Sequence, residues 1–228
     1  MLSSKVATLQ DNSVHGEDSF LTRDLGNNGF LDVVMDGVTG HGGEEASTSL
    51  KEALAEATLR TPDDVVAVLE EMNTEYYQMG GGRFLLTTVS AVLCLENRIH
   101  VIGAGDSPVI LVDSDSTQQL SGRVGGFLNV GVAGAIGAGP ALTNLARVEV
   151  PVRPEMRLVL ATDGLSDNML LEDIAALVRR AASPEEAAEQ INDAVEAVIQ
   201  EGRIPKQLGR RFRHDDRTAI FRFFDATN

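Results

Sequence analysis

The 228 residues are enough for one domain with a large buried core, and 43% of them are hydrophobic, which excludes disorder along most of the chain. The mean hydropathy is −0.03, and 19 Lys and Arg residues against 34 Asp and Glu residues leave a net charge of −15 at pH 7. Such a charge repels nucleic acid and anionic lipid headgroups, so we expect neither nucleic acid nor a membrane as a partner.

The first ten residues have neither the basic nor the apolar region of a secretory signal, and the single cysteine, Cys94, lies in an apolar stretch. These features predict a cytoplasmic protein with a buried, inert thiol.

Short apolar runs bounded by turn residues predict seven strands, whereas apolar positions three to four residues apart predict helices. The predicted strands cover residues 30–35, 88–95, 99–103, 109–112, 146–150, 157–161 and 218–224. The predicted helices come in two pairs, 44–60 with 62–77 and 171–182 with 184–200. Thr61 before Pro62, and Ser183 before Pro184, are typical N-cap signals.

Grouped strands with helices inserted in pairs favour an α+β fold with antiparallel sheets over strict βαβ alternation. Two sheets packed face to face with helices outside would use all of these elements, and composition alone leaves a single sheet open. Residues 124–142 carry no charge, but their many glycines and Asn129 make the stretch a poor membrane span. We expect a glycine-rich loop there.

Acidic residues stand beside strands at five places. Asp36-Gly37 ends the run 30–35 and Asp163-Gly164 ends the run 157–161. The other three are Glu17-Asp18 before Ser19, Asp106 after the run 99–103, and Asp215-Asp216 before the run 218–224. Taken alone, Asp36-Gly37 is as typical of an ordinary turn as of a turn that binds a ligand. If the five places converge, the carboxylates repel one another unless cations neutralise them, and all-oxygen ligation selects Mg²⁺, Mn²⁺ or Ca²⁺ over zinc.

The ordered set of motifs resembles the metal-dependent serine/threonine protein phosphatases (PPM, or type 2C) in their short bacterial form. The motifs are Glu17-Asp18, Asp36-Gly-Val-Thr-Gly-His41-Gly-Gly, Leu86-Thr87-Thr88, Gly105-Asp106-Ser107, Ala135-Ile-Gly137, Thr162-Asp163-Gly-Leu-Ser-Asp167 and Asp215-Asp-Arg-Thr218. The resemblance covers essentially the whole chain. It implies a single domain over residues 1–228, a four-layer α-β-β-α sandwich, and a flap over roughly residues 121–145.

The resemblance also implies a centre of two Mn²⁺ or Mg²⁺ ions, with a third ion in some members. Asp36 would bridge the pair, and Asp163 and Asp215 would complete one of the two sites. The other site would take the carbonyl of Gly37 with Glu17 or Asp18. Asp106 and Asp167 match the positions of the third, weaker site.

Two such ions about 3.5 to 4 Å apart lower the pKa of a bridging water and so provide hydroxide for in-line attack on phosphorus. His41 is the candidate acid for the leaving alkoxide, and a histidine that only hydrogen-bonds its own turn is an equal alternative. Ser13 stands where family members commonly carry an arginine for the substrate phosphate. Nearby His15 is a weak substitute because it lacks the planar fork of a guanidinium.

The sequence therefore predicts a Mg²⁺- or Mn²⁺-dependent phosphatase that acts on a phosphoprotein substrate. Two alternatives stay open. One is a pseudoenzyme or regulatory module that keeps the fold, which Ser13 leaves possible, and the other is a hydrolase of small phosphoesters.

Overall fold

A computed structural model describes residues 2–122, 134–202, 208 and 214–226. The strands are β1 (Leu2–Asp11), β2 (Asp18–Gly26), β3 (Gly29–Asp36), β4 (Val89–Leu95), β5 (Arg98–Ala104), β6 (Val109–Val112), β7 (Thr117–Ser121), β8 (Ala146–Pro151), β9 (Arg157–Ala161) and β10 (Arg217–Ala226). The helices are α1 (Gly43–Glu56), α2 (Pro62–Gly80), α3 (Asp163–Ser166), α4 (Leu171–Arg180) and α5 (Pro184–Glu201).

The strands form two antiparallel sheets of five, in the orders β1-β10-β9-β6-β7 and β2-β3-β4-β5-β8. One apolar core lies between the sheets. A second packs α1 and α2 on the sheet that contains β3, and a third packs α4 and α5 on the sheet that contains β10. The predicted four-layer sandwich with helix pairs outside is thereby confirmed.

The two longest helices begin where their N-cap signals predict. The Thr61 hydroxyl accepts from the Asp64 amide, the Asp64 carboxylate accepts from the Thr61 amide at 2.7 Å, and Pro62 opens the helix. Such a reciprocal pair satisfies amides that the first helical turn leaves without partners. Ser183 accepts from the Glu186 amide in the same way at the start of α5.

Several predicted boundaries need correction. The first helix ends at Glu56 rather than at residue 60, and α2 continues to Gly80 rather than stopping at residue 77. The strands β1, β2 and β7 and the short helix α3 were not among the predicted elements. The predicted flap over 121–145 falls partly on residues 123–133, which lie outside the described residues.

The interface between the sheets contains a charged pair as well as apolar side chains. The Arg222 guanidinium of β10 donates from Nε to Asp32 Oδ2 at 2.6 Å and from Nη2 to Asp32 Oδ1 at 2.8 Å. It also lies 3.8 Å from the centre of the Phe30 ring. Cys94 is buried close by, and burial raises the pKa of its thiol to about 11, so the thiol stays protonated.

Within the described ranges, no helix combines the length and apolar character needed to cross a membrane.

Candidate active site

The sheet that contains β2 and β3 places two carboxylates at one end of the sandwich. Asp18 begins β2, Asp36 ends β3, and the two residues lie directly opposite each other in the antiparallel register. Opposed residues of an antiparallel pair point to the same face, with Cβ atoms about 4.5 to 5.5 Å apart. The Asp18 and Asp36 side chains therefore share one side of this end of the sheet.

The sheet that contains β9 and β10 supplies further acids at the start of α3 and just before β10. Asp163 follows β9, and Asp215 and Asp216 precede β10, the strand paired with β9. The Thr162 hydroxyl donates to Asp18 Oδ2 at 2.8 Å and accepts from the Thr218 amide at 3.0 Å. Thr162 thus ties the two sheets together at the acidic end.

The carboxylates are close enough to change one another's ionisation. Burial is the main cause that raises the pKa of Asp36 well above its ordinary value, and the charges of Asp163, Asp18 and Asp215 raise it further. Burial also raises the pKa of Asp18 to about 7, with smaller contributions from Asp216 and Asp163. The structure therefore brings together five of the acids that the strand-end pattern singled out.

The described acids at this end of the sandwich influence one another's ionisation but do not form a complete ligand set for a metal ion. Across the described part of the chain, no three His, Cys, Asp or Glu side chains are arranged to hold a metal ion as they stand. The donor set nevertheless fits a hard cation: it is all oxygen, it is mostly buried, and its members repel one another when ionised.

Asp216 has a structural role that its neighbour Asp215 does not share. The sequence did not predict this role. Asp216 Oδ1 accepts from the amides of Val14 and His15 at 3.0 Å each, and its Oδ2 accepts from the Glu17 amide at 2.8 Å. Both oxygens are thus engaged in holding the loop between β1 and β2. The only sequence signal is the Asp-Asp doublet, which does not reveal which carboxylate faces the loop.

Glu17 and Gly37 lie against the start of α1. Glu17 Oε2 accepts from the Thr39 hydroxyl at 2.5 Å, and the Glu17 carbonyl accepts from the Ser47 hydroxyl at 2.6 Å. A Cβ atom at Gly37 would lie 2.4 Å from the Gly43 carbonyl group. Because real Cβ atoms do not approach so closely, the turn after Asp36 requires glycine at this position.

The two histidines lie at different edges of the site. His41 Nδ1 donates to the Arg83 carbonyl at 2.7 Å, which leaves Nε2 as the ring nitrogen that is not committed to this bond. His15 Nδ1 lies 3.0 Å from Asp215 Oδ1. Ser13 is exposed, and its amide donates to Asp11 Oδ1 at 3.1 Å.

The acids predicted for a third ion lie on separate elements. Asp167 is buried at the end of α3, where its amide donates to the Asp163 carbonyl at 2.7 Å. Asp106 is partly exposed in the loop after β5. Gly105 precedes it with a φ of 112°, and a Cβ there would meet Thr88 at 2.5 Å.

Comparison with known proteins identifies the class. The family model described as Stage II sporulation protein E (SpoIIE) matches residues 28–221. "Probable protein phosphatase 2C 76" of Arabidopsis thaliana is 27% identical, over 71% of this chain and 48% of that protein. The chain therefore spans about half the length of this curated relative.

Solved structures agree in fold over nearly the full chain. PppA, described as a key regulatory component of T6SS in Pseudomonas aeruginosa, has a TM-score of 0.77 at 18% identity and covers 97% of this chain and 98% of its own. The catalytic domain of the serine threonine protein phosphatase PstP, solved with two manganese ions, has a TM-score of 0.73 at 20% identity, with 99% and 100% covered. Stp1 from Staphylococcus aureus has a TM-score of 0.73 at 17% identity, with 99% and 96% covered.

The fold is that of the PPM serine/threonine phosphatases, as the motif resemblance implied. The chain belongs to the SpoIIE family within this type 2C class.

Proposed function

We propose that the protein is a Mn²⁺- or Mg²⁺-dependent phosphatase that hydrolyses phosphoserine and phosphothreonine in protein substrates. The observation that carries the proposal is the meeting of Asp36 with Asp18, Asp163 and Asp215 at one end of the sandwich, where each raises the cost of ionising another. A buried all-oxygen cluster of this kind is stabilised when divalent cations replace the protons that burial would otherwise demand. The PstP structure with two manganese ions supports the same assignment.

Each acid would have a distinct part in holding the ions. Asp36 would be shared by both, Asp163 and Asp215 would complete one position, and the Gly37 carbonyl with Asp18 or Glu17 would serve the other. Asp106 and Asp167 would hold a third, weaker ion. When bound, two such ions activate a water for attack on phosphorus and neutralise the phosphoryl oxygens.

The polypeptide itself would orient the reacting groups. His41 would donate a proton from Nε2 to the departing serine or threonine oxygen, while the Arg83 carbonyl fixes the ring through Nδ1. Asp216 would hold the loop that carries Glu17 in place, because it binds three backbone amides of that loop. A phosphoprotein chain is the proposed substrate partner.

The direct test replaces Asp36 by asparagine. Asp36→Asn keeps the shape of the side chain but removes the charge that both cations share, so turnover of an aryl phosphate and of a phosphothreonine peptide in Mn²⁺ should fall by about a hundredfold or more. Asp115→Asn is the matched control because Asp115 is an exposed acid in the loop before β7.

Retention of most Mn²⁺-dependent turnover by folded Asp36→Asn would contradict the shared-ligand role. Wild-type protein that hydrolyses the aryl phosphate but no phosphopeptide would favour small phosphoesters as substrates, and inactivity with both would favour a binding module.

A further inference from the structure

The last turn of α2 and the loop after it carry the two large apolar side chains that stand out as exposed in the described part of the chain. Met79 is 66% exposed and Phe84 is 48% exposed. Arg83 is exposed beside Phe84, and its side chain makes no hydrogen bond or ion pair with a residue that the structure describes. We call these three side chains the 79–84 surface. Phe, Met and Arg are the residue types enriched at protein recognition surfaces.

The backbone holds Phe84 outward in a strained turn. Leu85, the next residue, is buried and has a φ of 58°, a left-handed conformation that is rare for a bulky side chain. A Cβ at Gly42 would lie 2.9 Å from the Phe84 ring, so the ring lies directly against the backbone of the His41-Gly42 turn. Strain of this kind persists only where the surrounding structure holds it, and it is concentrated at binding and catalytic sites.

A row of hydrogen bonds connects this surface to Asp36. The Thr88 amide donates to the Asp36 carbonyl at 2.8 Å, and the Val38 amide donates to the Leu86 carbonyl at 2.9 Å. The row ends with the bond from His41 to the Arg83 carbonyl. The 79–84 surface therefore lies at one end of this row of hydrogen bonds, and Asp36 of the acid cluster lies at the other end.

The segment that follows residue 133 packs against the other side of residues 82–88. The amide of Ile136 donates to the Thr87 carbonyl at 2.8 Å, and a Cβ at Gly82 would lie 2.7 Å from the Ala138 carbonyl oxygen. Residues 82–88 are thus contacted on both sides, and the Arg83 and Phe84 side chains are exposed at the end of this segment that lies away from Asp36.

We propose that the 79–84 surface binds the substrate segment that flanks the phosphorylated residue and selects segments with a carboxylate and a large apolar side chain. The inference rests on the proposed phosphatase function. Arg83 would pair with the carboxylate, because its guanidinium is exposed and makes no ion pair with a described residue, so its charge is available to an incoming acid. Phe84 and Met79 would cover the apolar side chain and remove their own apolar area from water.

The test uses phosphothreonine peptides in which glutamate is placed in turn at each position within three residues of the phosphate. For the wild-type protein in Mn²⁺, glutamate at one or more positions should raise kcat/KM about tenfold over alanine, as expected for one charge-assisted contact. Arg83→Glu should reverse this preference in favour of lysine at the same position. Arg153→Glu is the control, because Arg153 is exposed between β8 and β9, and it should keep the wild-type preference.

Phe84 is tested with peptides that carry leucine or alanine beside the phosphate. The wild type should prefer leucine, Phe84→Ala should lose that preference, and Phe84→Leu should keep most of it, which separates lost contact from a disturbed loop.

A wild-type protein without any acid preference would overturn the inference, and so would a preference that survives Arg83→Glu. If Arg83→Glu changes only the KM for the aryl phosphate and raises it, Arg83 contacts the phosphate itself, and the inference is overturned as well. Wild-type protein without Mn²⁺-dependent turnover of aryl phosphate would be a failure of the proposed function instead. Fluorescence anisotropy with the same peptides then tests the surface by binding alone.

Discussion

Ser13 occupies the position at which the motif resemblance implies an arginine for the substrate phosphate. The residue is exposed on the loop that Asp216 anchors, and His15 two positions later lies against Asp215. If the substrate phosphate binds at this position, a neutral serine leaves it without the planar, bidentate contact that arginine provides.

Replacing Ser13 by arginine should therefore strengthen substrate binding. Ser13→Arg is expected to lower the KM for a phosphopeptide about tenfold, since a charge-assisted hydrogen bond is worth about 1.5 to 3 kcal/mol. The kcat should change less if the contact is equally strong in the ground state and the transition state. Steady-state kinetics measure both, and Ser13→Lys, which lacks the fork, should give a smaller effect. An unchanged or higher KM would mean that His15 or an arginine already occupies the space beside the phosphate, or that the new side chain clashes there.

At the scale of the elements, the Asp32–Arg222 pair joins β3 of one sheet to β10 of the other. The side chain of Asp32 is fully buried and that of Arg222 is 8% exposed. Two hydrogen bonds between them and a third from Arg222 to Ser4 leave the pair well satisfied. Both strands lead directly to site acids, Asp36 on β3 and Asp215 before β10.

Breaking the pair on one side should destabilise the fold strongly. Arg222→Met leaves the Asp32 carboxylate buried without its partner, so the free energy of unfolding should fall by about 3 to 5 kcal/mol. Combining it with Asp32→Leu removes both charges and should restore most of the loss. Urea denaturation of the two single variants and the double variant gives the coupling. Additive losses in the double variant would show that the two residues act independently.

Most of the predicted strands are buried, and the strands that were not predicted lie at sheet edges. The edge strand β8 was predicted all the same, because its residues alternate regularly between partly buried and exposed positions. Strands β3, β4, β6 and β9 are almost wholly buried and show as apolar runs. The edge strands β1, β2 and β7 instead mix polar and apolar residues, because one side of each meets water and pairing with a neighbour holds them in place. Periodicity does not report such pairing.

The site residues likewise divide into those that a local sequence pattern predicts and those whose role depends on distant contacts. Asp36 and Asp163 were predictable because each ends an apolar run. The roles of Asp216 and Thr162 were not, since both depend on hydrogen bonds to residues more than a hundred positions away. A sequence motif identifies such residues but does not show what they contact.

For the whole molecule, the raised pKa values of Asp18 and Asp36 link stability to pH and to metal. Burial raises the pKa of Asp18 to about 7 and that of Asp36 well above its ordinary value. Without metal, the folded protein holds these protons more tightly than the unfolded chain, whose carboxyls have a pKa of about 4. Stability of the metal-free protein should therefore fall as pH rises from about 4 towards 7.

Divalent cations should reverse this loss, since they bind the ionised carboxylates of the folded state alone. The rise in Tm produced by millimolar Mn²⁺ should be larger at pH 8 than at pH 6, and chelation should abolish it. Thermal melts of the wild type and Asp36→Asn, with and without Mn²⁺ at both pH values, provide the measurement. A Tm shift that is equal at the two pH values, or equal in the two proteins, would contradict the link between proton release and metal binding.

The position of β10 has a consequence for the order in which the protein assembles. Among the described strands it is the last in sequence, yet it lies between β1 and β9 in its sheet. Until it has left the ribosome, β1 lacks its sheet partner, and the amides of the loop before Glu17 lack the Asp216 carboxylate. Pairings of such long sequence separation also form slowly, because a long loop must close first. A nascent chain should thus lack the assembled acid cluster until β10 has emerged, and the phosphatase activity proposed above would begin only then.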